Sequence, residues 1–173
     1  LKRSAFSSQP LARGAHCSTL MAHGSFMTRY AHITGWGMAV PEKILTNDDI
    51  SRFVETSDEW IQSRTGIKER RIANEKETTT SLAIEAAEQA LEVANISPAE
   101  IDLIIVATST AEYIFPATAS LVQDVLGADK AGAFDISVAC TGFVYALNIA
   151  AQAIRSGSIN TAVIIGSETM SRI

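Results

Sequence analysis

Apolar residues recur at helical spacing through residues 80–94, where Leu82, Ala83, Ala86, Ala87, Ala90, Leu91 and Ala94 share one side and Glu85, Glu88 and Glu92 the other. The spacing predicts a surface helix covered on one side. Residues 101–108 differ: Leu103-Ile104-Ile105-Val106 is a near-continuous aliphatic run, as in strands buried on both faces of a parallel sheet. Residues 133–138 and 161–166 read as further strands. Residues 30–36 read as a first strand, broken by Gly35 and Gly37 and closed by Pro41. A helix starting at Pro116 and stopped by Gly127, and another over 141–154, complete a β-α-β-α-β-α-β order, which predicts a mostly parallel sheet with crossover helices.

Two short helices fall outside this rhythm. Asn47 can cap one running through Glu55, with Asp48 and Asp49 at its positive end, and Ser57 can cap a second through about Arg64, ended by Gly66. The helix over 141–154 is unusual because ten of its fourteen residues are apolar and none is charged. Such a helix needs cover on every side, so a second layer is expected beyond it, and this segment alone should expose a large apolar surface. The 19 uncharged residues between Asp135 and Arg155 match a membrane span in length. Ser137, Thr141, Asn148 and Gln152 punctuate them, however, and Cys140-Thr141-Gly142 divides a strand-type run from a helical one, so a buried strand, turn and helix is expected instead of a membrane segment.

With 173 residues, 47% of them apolar and 19% charged, the chain can bury a core, and a net charge of −5 disfavours nucleic-acid binding by bulk charge. Cys17 and Cys140 lie 123 positions apart, which excludes a disulfide framework and paired zinc-ligand spacing; no metal is expected, and a reducing compartment is the simpler location. Residues 1–26 carry Lys2, Arg3 and Arg13 with no acid, whereas 27–173 hold 11 basic and 19 acidic residues. The first stretch is therefore read as a leader or non-native extension without packed structure. An organelle transit peptide and read-through upstream of a start at Met27 or Met21 both explain it, and read-through is preferred. Residues 27–173 are expected to form one domain that stops before a second half.

Cys140 is the candidate nucleophile. It directly follows the predicted strand and precedes the apolar helix, in Val138-Ala139-Cys140-Thr141-Gly142-Phe143. A thiol there faces unsatisfied N–H groups and the helix dipole, which favour thiolate, and its own N–H could donate to a developing oxyanion. The alternative is a free cysteine serving as a small buried hydrophobe. Position alone leaves both readings open.

The string Asp135-Ile136-Ser137-Val138-Ala139-Cys140-Thr141-Gly142-Phe143 closely resembles the active-site segment of the 3-oxoacyl-[acyl-carrier-protein] synthase III family, the initiating condensing enzymes of type II fatty acid synthesis. Thr56-Ser57-Asp58-Glu59-Trp60-Ile61, with Arg64-Thr65-Gly66-Ile67 and Arg70, resembles the family's coenzyme A segment, and Ala107-Thr108-Ser109 with Phe115-Pro116 its acyl-pocket stretch. The resemblance runs in unbroken order from about Arg29 to Ile173. It implies an α/β chain that is the N-terminal half of a thiolase-like layered fold, mostly parallel sheet with a buried nucleophile helix. It also implies a cytoplasmic homodimer, or a plastid or mitochondrial one if residues 1–26 are a transit peptide.

In that family the cysteine takes an acyl group from its CoA thioester, and malonyl-acyl-carrier protein then loses carbon dioxide and attacks the acyl-cysteine. By resemblance Cys140 is the nucleophile, Trp60 stacks on the CoA adenine, Arg64 is a basic CoA contact, Thr56 is another CoA-side contact, and Phe115 reaches a neighbouring acyl pocket across the dimer. Each has a plainer alternative. Trp60 could fill a local apolar patch, Arg64 could pair with Glu59 or Asp58, Phe115 could be an ordinary core ring, and Arg70 and Arg71 are read as mostly structural. The implied partners are acyl-CoA, as a substrate and not a cofactor, and acyl-carrier protein, with no nucleic acid and no membrane. The family also uses a His and an Asn from its second half, and His16, His23 and His32 match neither, so condensation by these residues alone is not expected.

Other enzyme readings have weaker support in the sequence. Hydroxymethylglutaryl-CoA synthases and polyketide starter synthases share a cysteine at this place, and the Trp60 and Arg64 segment disfavours them. Gly166-Ser167-Glu168 lacks the G-x-S-x-G hydrolase pattern. Val40 stands where a dinucleotide fingerprint beginning Gly35-Trp36-Gly37 needs its third glycine. A non-catalytic fragment is the remaining alternative.

Overall fold

The computed structural model describes residues 29–173. The expectations for residues 1–26, Cys17, His16 and His23 lie outside them. The centre is a three-stranded parallel sheet. Strand β3 (Leu103–Ala107) lies between β4 (Gly132–Ile136) and β5 (Ala162–Gly166), pairing Ile105 with Phe134 on one side and with Ile164 on the other. Because successive side chains of a strand point to opposite faces, β3 serves two cores at once. Ile104 and Val106 face the helices α3 (Thr79–Ala94) and α4 (Thr118–Leu126), meeting Ala83, Ala87, Leu91, Ala119 and Val122. Ile105 faces α5 (Gly142–Ser156) and meets Ala146 and Ala150. Ile104, Ile105 and Val106 are fully buried, each contributing about 1.5–3 kcal/mol by removal from water. The layers are therefore α3 and α4, sheet, then α5.

Local chemistry sets the boundaries. The Thr78 side chain accepts from the Ser81 N–H and Ser81 accepts from that of Thr78, closing a capping box on α3. Gly127 and Gly157 end α4 and α5 in the left-handed conformation, which lacks a penalty only for glycine. Ala117 gives α4 no side-chain cap; Asp135 of β4 supplies one instead, accepting from the N–H groups of Thr118 and Ala119 at 2.7 Å each.

Beside this body stands a small lobe: a two-stranded antiparallel pair, β1 (Ile44–Thr46) and β2 (Glu69–Arg71), with the helices α1 (Asn47–Ser51) and α2 (Asp58–Thr65) between them in sequence. Ser57 caps α2 and Gly66 ends it, as the sequence predicts. The first helix departs from expectation. Its cap is Thr46, in a capping box with Asp49, and it ends at Ser51, short of Glu55. Both neighbours are cap-competent, and Asn47 is committed elsewhere.

One further expectation is corrected. Residues 30–36 are not a strand: they pair with neither the β4-β3-β5 sheet nor the β1-β2 pair, and run close against the backbone of α3 instead. Gly35 and Gly37 permit this approach, since a β-carbon at either would run into the carbonyl oxygens of Ala90 and Ala86. The apolar helix α5 is buried only along Gly142, Ala146 and Ala150, while Phe143, Val144, Tyr145, Leu147 and Ile149 are exposed. One side rests on the sheet, and among the described residues the other is uncovered, in agreement with the expected apolar surface.

Candidate active site

The three parallel strands end on the same edge of the sheet, and the chain after each is tied down by polar contacts. After β5, Glu168 accepts from the Ser109 N–H at 2.8 Å and the Thr110 hydroxyl at 2.6 Å, clasping the end of β3. Buried Thr79, at the start of α3, donates to the Thr110 carbonyl at 2.6 Å and lies 2.8 Å from the Thr169 hydroxyl. Buried Ser167 donates to the Thr79 carbonyl at 2.8 Å. Glu112 accepts from the N–H and the hydroxyl of Thr80. Burial opposes its charge, but hydrogen bonds from Thr78 and Thr80 prevail and hold its carboxyl below the usual range. The loop leading to Phe115 is thus anchored at its base, while Tyr113, Ile114 and Phe115 themselves are exposed.

Cys140 lies on this edge, in a single 3-10 turn, Ala139–Thr141, between β4 and α5. Its side chain is exposed, not a buried hydrophobe. Ala139 has φ of 50°, in the left-handed region that a residue with a β-carbon enters at a cost. The turn is fixed from both sides. Asp135 binds the strand before it to α4, and Gly142 sits so close to β3 that a β-carbon there would approach that of Ala107 to 2.8 Å. Among the described residues, the Cys140 N–H donates to no backbone carbonyl outside regular elements, and no titratable side chain hydrogen-bonds the thiol. Such a turn presents the sulfur to a ligand from outside the sheet.

The lobe holds the second group of candidates. Trp60 is 58% exposed, and the Arg64 guanidinium lies over its ring, 5.9 Å from the centroid. Arg64 forms no ion pair with Asp58 or Glu59, so that alternative is not realised. Thr56, just before the α2 cap, has a buried hydroxyl with no partner, a state that water or a ligand relieves. Arg70 bonds Asn47 and Arg71 the Pro41 carbonyl, in keeping with structural roles. No hydrogen bond or ion pair joins the 44–71 lobe to the Cys140 turn among the described residues. Phe115, 89% exposed, packs in no core. His32 lies exposed on the extended segment. No group of three or more metal-ligating side chains occurs among the described residues, and none of their helices is long and apolar enough to cross a membrane.

A family model described as 3-oxoacyl-[acyl-carrier-protein (ACP)] synthase III matches residues 134–173, the span containing Cys140. A β-ketoacyl-[acyl-carrier-protein] synthase III of Xylella fastidiosa is 54% identical over 144 residues, covering 83% of this chain and 44% of that protein. The chain resembles the N-terminal half of the synthase III enzymes. It spans under half the length of the curated relatives it matches. The synthase III of Aquifex aeolicus superposes with a TM-score of 0.79 at 54% identity, over 81% of this chain and 45% of that one. A priming β-ketosynthase from the R1128 polyketide pathway does so at 0.82 with 38% identity, over 84% and 44%. The fold is accordingly the thiolase-like α/β fold of synthase III, represented here by a parallel sheet and its flanking helices.

The sequence offers Cys140, Trp60 and Arg64 as candidates but assigns no positioning role to Ala139, Asp135, Asn47 or Glu168, which hold the elements that carry them. Asp135 alone carried a signal, as an acid inside an otherwise apolar strand. The partners of Asn47 and Glu168 are 11 to 60 positions away and leave no local pattern.

Proposed function

We propose that Cys140 accepts an acyl group from acyl-CoA, as the first half of an initiating condensation in type II fatty acid synthesis. The exposed thiol in a fixed turn at the start of an apolar helix carries this reading. The Cys140 thiolate attacks the thioester carbonyl carbon, the carbon–sulfur bond to CoA breaks, and CoA leaves as a thiolate that takes up a proton. In this reading the Cys140 N–H donates to the oxyanion that forms between these events. In the second half-reaction, malonyl-acyl-carrier protein loses carbon dioxide, its carbanion attacks the acyl-cysteine carbonyl, and the product is 3-oxoacyl-carrier protein with Cys140 restored. The His and Asn implied for that step belong to the synthase III second half.

Trp60 offers a stacking face to the adenine of CoA, Arg64 a guanidinium to its phosphates, and Thr56 an unpaired hydroxyl beside them. Phe115 reaches outward, as a residue completing the acyl pocket of a homodimeric partner would. Residues 27–173 are one domain of a cytoplasmic protein, and the chemistry calls for no metal or redox cofactor. The resemblance to a priming ketosynthase supports a second reading, in which the same acyl transfer supplies a polyketide starter unit.

Mass spectrometry after incubation with acetyl-CoA tests the first step. A mass gain of one acetyl group on Cys140 is expected, and Cys140→Ser should lower transfer by at least about 10²-fold, because a hydroxyl without an adjacent base is a poor nucleophile. A folded chain with no adduct, or a serine variant of unchanged rate, would overturn the proposal.

A further inference from the structure

Asn47 is polar, lies in the small lobe and is only 1% exposed. Its amide is fully used. Nδ2 donates to the Asp58 carboxylate at 2.8 Å and to the Ile67 carbonyl at 2.8 Å, while Oδ1 accepts from the Arg70 guanidinium at 2.7 Å. These partners bracket α2: Asp58 is its first residue, and Ile67 lies just past its terminal glycine. One side chain therefore grips both ends of the helix whose outward face carries Trp60 and Arg64. Gln62 adds a bond to the second Asp58 oxygen at 2.6 Å. The inner face offers little apolar hold, since Ile61 is the only buried residue of α2. With so little packing, the orientation of α2 depends on polar contacts.

We infer that Asn47 is a positioning residue for acyl-CoA recognition, setting α2 so that Trp60 and Arg64 meet the nucleotide end of the ligand together. The inference rests on the acyl-transfer reading above. The Asp58 carboxyl is held below its ordinary range, first by the Asn47 amide and then by Gln62, which agrees with a well-formed contact. Alanine at position 47 would remove the partner of the Ile67 carbonyl and of the Arg70 guanidinium and leave Asp58 with Gln62 alone. The helix could still form, with its cap intact, but its direction would be free.

The experiment is single-turnover acylation of Cys140 in this chain, followed by mass spectrometry as a function of acetyl-CoA concentration. Asn47→Ala is expected to raise the half-saturating concentration about tenfold while leaving the maximal rate within about twofold, because ground-state binding is lost and the chemistry is not. Arg70→Met, which removes only the contact to Oδ1, should move the half-saturating concentration the same way by a smaller factor, and serves if Asn47→Ala does not fold. A purely structural role predicts less folded protein with an unchanged half-saturating concentration in the fraction that reacts, and that result would overturn the inference. So would a fall in maximal rate alone. Failure of the wild-type chain to acylate would instead overturn the acyl-transfer reading, and the inference with it.

Discussion

Helices α3 and α5 are of similar length and pack on opposite faces of one sheet, yet among the described residues only α3 is finished. Its small residues meet Ile104 and Val106, and its glutamates face water. The contacts of α5 with the sheet use Gly142, Ala146 and Ala150, one narrow stripe, and aromatic and aliphatic side chains crowd the remainder. A helix packed on a sheet can therefore be satisfied by that sheet or demand a second surface. The difference is written in the charge of its outer face.

Opposite responses to one substitution give the largest test of that contrast. Ala87→Asp places a carboxylate at a site 2% exposed with no partner and should cost about 3–5 kcal/mol, read as a fall in urea midpoint. Val144→Asp, at a site 66% exposed on α5, should change the stability of this chain by less than about 0.5 kcal/mol and reduce its binding of an apolar dye. Equal destabilisation by the two would show that α5 is covered after all. Next in size, Gly142→Ala should destabilise by about 1–3 kcal/mol through its encounter with Ala107, although alanine is the better helix former by about 1 kcal/mol. A stabilised variant would mean that α5 does not rest so closely on β3.

Asp135→Ala should cost about 0.5–2 kcal/mol and expose the first amides of α4 to faster hydrogen exchange, since it removes the only cap that helix has. The smallest effect depends on pH. Asp102 anchors the return from α5, accepting from the N–H groups of Asn160 and then Thr161, and these bonds hold its carboxyl below the ordinary range. A carboxyl lowered on folding contributes stability that is full above its unfolded pKa of about 3.9 and is lost as pH falls through the folded value. Exchange at Asn160 and Thr161 should accelerate on acidification. The Thr80 N–H, in the first turn of α3, should respond in the same direction, because it donates to the Glu112 carboxylate, which is also held below its ordinary range.

Much of this architecture was legible in the sequence because its causes are local or periodic. The β3 run, the α3 stripe, the Ser57 cap and the stops at Gly66 and Gly127 each follow from a few adjacent residues. The first strand failed as an expectation because a strand needs a partner edge beside it, and residues 30–36 lie against α3 rather than along a strand. Thr46 and Asn47 exchanged roles because either can cap, and only the distant Asp58, Ile67 and Arg70 decide between them. At the site, the motif around Cys140 is contiguous and was readable. The left-handed Ala139 and the Glu168 clasp arise from where three strands end together, which no short window encodes.

The distance between β4 and α5 carries one more consequence. Only five residues separate Ile136 from Gly142, and both flanks are pinned, by Asp135 to α4 and by Gly142 to Ala107. Each residue of an α-helix advances about 100° around its axis. Deleting or adding a single amino acid there would thus turn α5 by that angle, rolling Ala146 and Ala150 off the sheet and driving a bulkier neighbour into their place. The chain can vary the chemistry around its thiol by substitution, but it has no freedom to vary the length of the turn that carries it.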